Sequence, residues 1–414
     1  MKTKFKKIKN RKNKSLLKPS IIILFLLFLF SHIPKITFFI LILKNLINRM
    51  NIFELNKYFV SKENKTETLL IGQKFIYKCL NQPNFTGVYK IKVKPIISSI
   101  IPVYNSEKTI NYSVCSIQNQ NFTNFEIILI DDFSNDNSSK IIKSLQERDE
   151  RIKILKNKKN MGTLYSRSIG VLISRGEYIF PLDNDDMFFS FDIFDFVLKI
   201  SKNYDFDVVG FRAFSINNYN DNINNITDLY DYQNYPENII VYQPELSTWM
   251  LNLNGKYFMH DVTIWAKCIK KLIYREATIK LGENRYSNFV SWAEDTIINF
   301  VIFTIAKSFI FMHKYGIIHL NSKSTSSFKI HRDIKLFGEI FLADIIYDFS
   351  KNNKDKNYAV NAAYHAKRFF RIKNFVNNTS LVYLKALLNK FLKSKYISHR
   401  NKIKIKIDFK SFFI

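Results

Sequence analysis

The chain has 414 residues, 63 Lys and Arg against 35 Asp and Glu, and a formal charge of +28 at neutral pH. That length accommodates one large domain or two smaller ones with appendages, and 47% hydrophobic residues assure a sizeable core. The number and spacing of Cys79, Cys115 and Cys268 exclude a disulfide framework and a thiolate metal centre.

The cations are unevenly spread. Nine of them and no acid fall in residues 1–18, and the run from Lys385 to Lys410 is nearly as one-sided. Residues 1–20 read as a basic cytoplasmic tail. Residues 21–43, IIILFLLFLFSHIPKITFFILIL, contain eighteen apolar side chains and a single lysine. At roughly −0.3 to −0.6 kcal/mol each, these side chains outweigh that lysine, so the stretch reads as one tilted transmembrane signal anchor. No small-residue cleavage site follows it. The positive-inside rule then puts the remainder across the membrane, as a single-pass type II protein, in the Golgi or endoplasmic reticulum if the source is eukaryotic. Asn-X-Ser/Thr sequons at Asn64, Asn84 and Asn225 fit that side.

Residues 44–94 are polar, lack a clear period and read as a stem. From residue 95 the texture changes to alternating units. IISSIIPVY (96–104) reads as a buried strand, and SEKTINYSVCSIQNQ (106–120) as a helix with Ser106 as N-cap. FEIILIDD (125–132) reads as a strand and SSKIIKSLQERDERI (138–152) as a helix. IKILKN (152–157) is the next strand, followed by a helix over GTLYSRSIGVLISRG (162–176), closed by Gly176, and a strand over YIFPLDNDD (178–186). This alternation predicts an α/β domain with a parallel sheet flanked by helices. Further on, FFSFDIFDFVLKI (188–200) reads as a helix and FDVVGFRAF (206–214) as a strand. Residues 215–237, rich in Asn, Asp and Tyr, read as a surface insertion. TIWAKCIKKLIYREA (263–277) and VSWAEDTIINFVIFTIAKS (290–308) both read as helices, and SFIFMHKYGIIHL (308–320) as a strand. The expected division is 95–214 and 215–330 for two halves of one domain, then a basic helical extension over 331–414.

Ligands of such sheets bind at the carboxyl ends of the strands, where IDD (130–132) and LDNDD (182–186) both fall. If the strand continues through them, Asp183 and Asp185 share a face and Asp186 turns away. Two carboxylates about 7 Å apart repel by roughly 2 kcal/mol at an effective dielectric near 20, and a hard divalent cation reverses that sign. An EF-hand is excluded, because Phe188 and Phe194 stand where that loop needs Gly and Glu. Glu294 and Asp295 open a helix, where the macrodipole favours an ionised carboxylate; they suit either proton removal from a hydroxyl or ordinary capping. His319, at the end of a late strand, reads as a structural histidine before an extra metal ligand, and Trp265 and Trp292 as core or as sugar-stacking residues.

In chain order, SIIPVYN, SIQNQNFTNFEIILIDDFSND, NKKNMGTLYSRSIG, RGEYIFPLDNDD and WAED resemble the family 2 glycosyltransferases, specifically over 96–188 and more loosely to about 330. The resemblance implies a GT-A type Rossmann-like sheet. It also implies inverting transfer of a sugar from a nucleotide sugar, UDP-linked, to a hydroxyl of a glycan, lipid or protein. By the same resemblance Pro102, Val103, Tyr104, Asn105, Glu107, Asp131 and Asp132 hold base and ribose, while Gly162 and Arg167 lie near the diphosphate. Asp183 and Asp185 take Mn²⁺ or Mg²⁺, Asp186 supports the metal or contacts the sugar, and Asp295, beside Glu294, is the catalytic base. Phe133 stands where the family usually has Gly, and Ser168 where Asn is usual. The alternatives are a catalytically inactive nucleotide-binding module of this fold and a basic nucleic-acid-binding protein. The second conflicts with the concentration of cations at the termini, so no nucleic-acid partner is expected.

Overall fold

The computed structural model describes residues 93–217, 263–290 and 293–320, positions within 69–79 and 338–349, and strand segments at 227–228 and 239–242. The expected tail and anchor (1–43), the three sequons, Trp292 and the chain beyond 349 lie outside the described residues. Among the described residues no helix is long and apolar enough to cross a membrane.

Four strands form where the apolar runs predict them: β1 (Ile97–Val103), β2 (Phe125–Asp131), β3 (Ile152–Lys156) and β4 (Tyr178–Pro181). β1 and β2 are buried along their whole length, which is why they read as continuous apolar runs rather than alternating ones. The serines inside β1 are satisfied: Ser98 Oγ donates to Glu126 Oε1 (2.7 Å) and Ser99 Oγ to the Phe180 carbonyl (3.2 Å). The four strands pair in parallel in the order β3-β2-β1-β4. They are joined through α1 (Ile110–Gln118), α2 (Ser138–Arg148) and α3 (Thr163–Ile173). The strand order reverses between β1 and β4, which is where a doubly wound sheet opens a crevice. Their ladder ends at Ile100 opposite Pro181. One further bond follows, Leu182 N–H to the Ile100 carbonyl (3.0 Å), and the chain then leaves the sheet.

Beyond β4 the all-parallel expectation fails. The chain continues through β5 (Met187–Phe188), α4 (Ile193–Asn203), β6 (Val208–Ile216), β7 (Thr227–Asp228) and β8 (Ile239–Tyr242). It then forms β9 (Lys267–Lys270), α5 (Lys271–Leu281), α6 (Glu283–Tyr286), α7 (Glu294–Ile305) and β10 (Ser308–Leu320). β9 inserts antiparallel between β4 and β6, and β10 runs parallel to β6 and antiparallel to β5 and β8. The result is a mixed sheet in the order β3-β2-β1-β4-β9-β6-β10-β5, with β7 on β6 and β8 on β10.

Several local expectations are corrected. The run 263–277 is not one helix: KCIK is a strand paired on both sides, and α5 starts only at Lys271. β6 continues through Ser215 and Ile216, both buried, and Thr227–Asp228 pairs back onto it, so this part of the 215–237 stretch belongs to the sheet. The described positions of 69–79, expected as stem, are helical. Phe75 and Cys79 from this helix enter a core cluster with Cys115, Met187, Phe189 and Phe214. Ser106 is not an N-cap: α1 starts after Thr109, and the Ser106 carbonyl accepts the N–H groups of Thr109 and Ile110, both at 3.0 Å. Gly176 serves a close approach rather than a helix end, since a Cβ there would lie 2.6 Å from the backbone nitrogen of Ser98.

Candidate active site

LDNDD does not continue β4. The Asp186 N–H donates to the Asp183 carbonyl (3.2 Å), forming a turn, and Asn184 Nδ2 pins that turn to β1 through the Pro102 carbonyl (3.0 Å). The face-sharing expectation for Asp183 and Asp185 therefore does not apply; the turn distributes the three acids. Asp186 is wholly buried. Its Oδ1 meets His319 Nδ1 (2.9 Å) and accepts the Leu320 N–H (3.2 Å) at the end of β10, while Oδ2 has no partner among the described residues. Trp265, itself buried, stacks on the His319 ring with centroids 5.0 Å apart. Burial, with the charges of Asp186 and Asp183, pushes the Asp185 carboxyl up to about 8. Burial also raises Asp186, with His319 opposing. His319 is lowered by burial but raised more strongly by Asp186, ending at about 9. Its ring therefore serves as a counter-ion to Asp186.

Arg167 projects from α3 and is 3% exposed, with one guanidinium nitrogen on Asp183 and the other on Asp295. Asp295 also accepts the Ile264 N–H (3.1 Å). Glu294 and Asp295 are the first two residues of α7, entered through Ala293 in a left-handed conformation (φ 63°). Burial raises both carboxyls: Glu294 reaches about 7 with Asp295 adding and Arg167 opposing, and Asp295 is raised against the pull of Arg167. Burial thus outweighs the macrodipole, contrary to the expectation of a simply ionised carboxylate. A proton affinity moved toward neutrality is what a general base requires. Two neighbours carry no sequence signal: Tyr274, whose buried hydroxyl has no partner and is pushed up by burial, and Lys267, a buried ammonium bonded to the Thr263 carbonyl.

The other predicted site residues lie at the ends of β1 and β2. Asp131 accepts the Ser134 N–H (2.9 Å) and the Ser139 hydroxyl, with Lys156 at 3.4 Å. Burial raises its carboxyl, but those hydroxyl and backbone donors outweigh burial and hold it low. Asp132 Oδ1 accepts Asn157 Nδ2 (2.7 Å) and the Met161 N–H (2.8 Å), and its Oδ2 the Gly162 N–H (2.7 Å). Gly162 opens α3 at φ 87°. Glu107 Oε2 accepts the N–H (3.1 Å) and Nδ2 (3.0 Å) of Asn137, and Asn105 Oδ1 accepts the Asn135 N–H (2.9 Å). Val103 is buried in β1, and Pro102 lends its carbonyl to Asn184. Of the group expected to hold base and ribose, the acids tie loops together, and Tyr104 offers an exposed ring.

Among the described residues no group of three or more His, Cys, Asp or Glu side chains is arranged to hold a metal ion. The donor set of the turn still suits a hard cation. It is all oxygen, its carboxyls are crowded enough to raise Asp185, and one buried Asp186 oxygen is unpartnered. Mg²⁺-like ions habitually complete such a set with phosphate and water.

Residues 98–257 match the family model described as Glycosyl transferase family 2. This segment is a family 2 glycosyltransferase domain. Over 92 residues the chain is 44% identical to an uncharacterized glycosyltransferase of Haemophilus influenzae, covering 22% of this chain and 37% of that protein. It is 32% identical over 111 residues to the GalNAc(5)-diNAcBac-PP-undecaprenol beta-1,3-glucosyltransferase of Campylobacter jejuni, covering 27% of this chain and 36% of that protein. The chain thus spans little more than a third of the length of these relatives. The fold is similar to that of S. aureus TarS 1–349 solved in complex with UDP-GlcNAc, with a TM-score of 0.55 at 15% identity over 77% of this chain and 89% of that one. The family 2 domain and the mixed, helix-flanked sheet accord with the GT-A class.

Proposed function

We propose that the chain is an inverting glycosyltransferase that moves a sugar from a nucleotide sugar, UDP-linked, to an acceptor hydroxyl on a glycan, lipid or protein. The observation that carries this reading is Arg167. One guanidinium joins Asp183, in the turn suited to a cation and diphosphate, to Asp295, the candidate base at the start of α7. The two ends of a displacement reaction, leaving group and attacking hydroxyl, therefore fit within the reach of one side chain.

In this reading Asp183 and Asp185 hold Mn²⁺ or Mg²⁺, which neutralises charge on the diphosphate when bound. Asp295 accepts the proton of the acceptor hydroxyl as its oxygen bonds to the anomeric carbon. The bond from that carbon to the diphosphate oxygen breaks on the opposite face, inverting configuration, and the Arg167 guanidinium faces the charge that develops there. Glu294 stands beside the base, and its own carboxyl is raised by burial and by Asp295. Residues 21–43 hold the enzyme to a membrane as a type II protein, in the Golgi or endoplasmic reticulum if the source is eukaryotic. A panel of nucleotide sugars with Mn²⁺, scored for transfer and hydrolysis, tests the reading. Turnover of at least one UDP-sugar is expected, together with its loss in Asp295→Asn. Wild-type rates in that variant would remove Asp295 from the base role, and a silent panel would remove the enzyme.

A further inference from the structure

Among the described residues three non-glycines have a left-handed backbone: Asn105 (φ 46°), Phe133 (φ 67°) and Ala293 (φ 63°). All three stand at the rim of the site, after β1, after β2 and before α7. Asparagine accepts this conformation readily, whereas a bulky aromatic residue does not. The turn nevertheless imposes it. Asp132 is clamped to the 157–162 loop, and the Ser134 N–H donates to Asp131 Oδ1 (2.9 Å), so the backbone is fixed on both sides of Phe133.

The ring carries a second unfavourable feature, since it is 44% exposed. Tyr104 is exposed to the same extent. The two loops are bonded together at the residues just past these rings, with the Asn105 N–H donating to Ser134 Oγ (3.2 Å) and the Asn135 N–H to Asn105 Oδ1 (2.9 Å). Strain held in place by surrounding bonds, together with an apolar ring turned to water, is the pattern of a residue kept for a ligand.

We propose that Phe133 is a base-stacking residue of the donor site, forming with Tyr104 an aromatic rim over the flat face of the nucleobase of a nucleoside diphosphate. This rests on the glycosyltransferase reading. Asp131 and Asp132 are already engaged by protein donors, so the rim recognises a ring by its face rather than its edge. Calorimetric titration of the full chain with UDP, and separately with inorganic pyrophosphate, each with Mn²⁺, isolates the base. Phe133→Gly should weaken UDP about tenfold or more, leave pyrophosphate unchanged and melt no lower than wild type, because glycine takes this φ without strain. Phe133→Trp should hold UDP within about threefold of wild type. Unchanged UDP affinity in Phe133→Gly overturns the proposal, and so does equal weakening of UDP and pyrophosphate, which marks a general collapse of the site. A wild type that binds pyrophosphate no less tightly than UDP overturns it as well. One that binds neither ligand overturns the donor-site reading with it, which separates the two failures.

Discussion

Asp131 and Asp132 stand at the carboxyl end of β2, the first closing the strand and the second leaving it, and Asp185 and Asp186 follow β4, so both pairs lie at the carboxyl edges of strands on either side of β1. The first pair is saturated. Backbone and side-chain donors from its own and the next loop reach both carboxylates, and Asp131 is held low despite its burial. The second pair is raised: Asp185 by burial with the charges of Asp186 and Asp183, and Asp186 by burial against the opposing pull of His319, with one Asp186 oxygen unpartnered among the described residues. Burial is common to both pairs, so burial does not distinguish them. What distinguishes them is the outcome: donors outweigh burial at Asp131, whereas burial prevails at Asp185 and Asp186, and a buried carboxyl raised in this way is a candidate for a ligand that brings positive charge.

The widest separation is expected between Asp185→Asn and Asp132→Ala. Asp185→Asn replaces a carboxyl whose ionised form burial already disfavours, so the folded protein should melt no lower, while Mn²⁺-dependent UDP binding and transfer fall about a hundredfold or more. Asp132→Ala strips the acceptor from the Asn157 amide and two backbone N–H groups, at about 1–3 kcal/mol for each donor left buried and unpaired. Its urea midpoint should drop sharply whether or not nucleotide is present. If Asp132→Ala folds as well as wild type but loses UDP, the saturated pair is a ligand site and the contrast fails.

A pH titration of stability gives the next largest effect. Asp185 sits at about 8 when folded, against an ordinary 3.8, so the folded chain binds its proton more tightly than the unfolded chain. That contribution is complete below about pH 4 and is lost as pH rises to about 8. His319, raised from 6.5 to about 9, extends the decline across that interval. Asp131, held low, has the opposite sign: its contribution is present above 3.8 and lost on acidification. Thermal midpoints recorded without divalent cations should therefore descend from pH 5 to 9. Asp185→Asn should flatten the part below pH 8 and leave the acid limb in place. A level wild-type profile would mean that the β4 turn does not hold its carboxyls raised.

Only part of this contrast was legible in the sequence. β1 to β4, their helices and both acid pairs stand out because each is a local apolar run or a local cluster. Which pair is raised depends on partners far along the chain. His319 lies 133 residues from Asp186, and Asp295 lies 128 residues from the Arg167 that meets it. KCIK was misread because a short strand paired on both sides shows no period against the helix that follows. The contact of Cys79 with the Cys115 side of α1 was likewise missed, although Ile71, Phe75 and Cys79 recur at helical i, i+4 spacing within 69–79. The left-handed Phe133 could be suspected only from the residue type at its position in a turn.

The smallest effect asks how Asp131 is saturated. Lys156 reaches it at 3.4 Å, but the lysine side chain is 55% exposed, and an exposed ion pair contributes about 0–1 kcal/mol. The Ser139 hydroxyl and the Ser134 N–H bond to a carboxylate that is almost fully buried, where losing a donor costs more. Lys156→Ala should therefore shift the urea midpoint barely above error at moderate salt, and Ser139→Ala should shift it more, by about 1 kcal/mol in stability. The reverse order would make Asp131 a charge-compensated acid rather than a hydrogen-bonded one. A compensating cation can be displaced by another cation, so that order would bring the β2 pair closer in kind to the β4 turn.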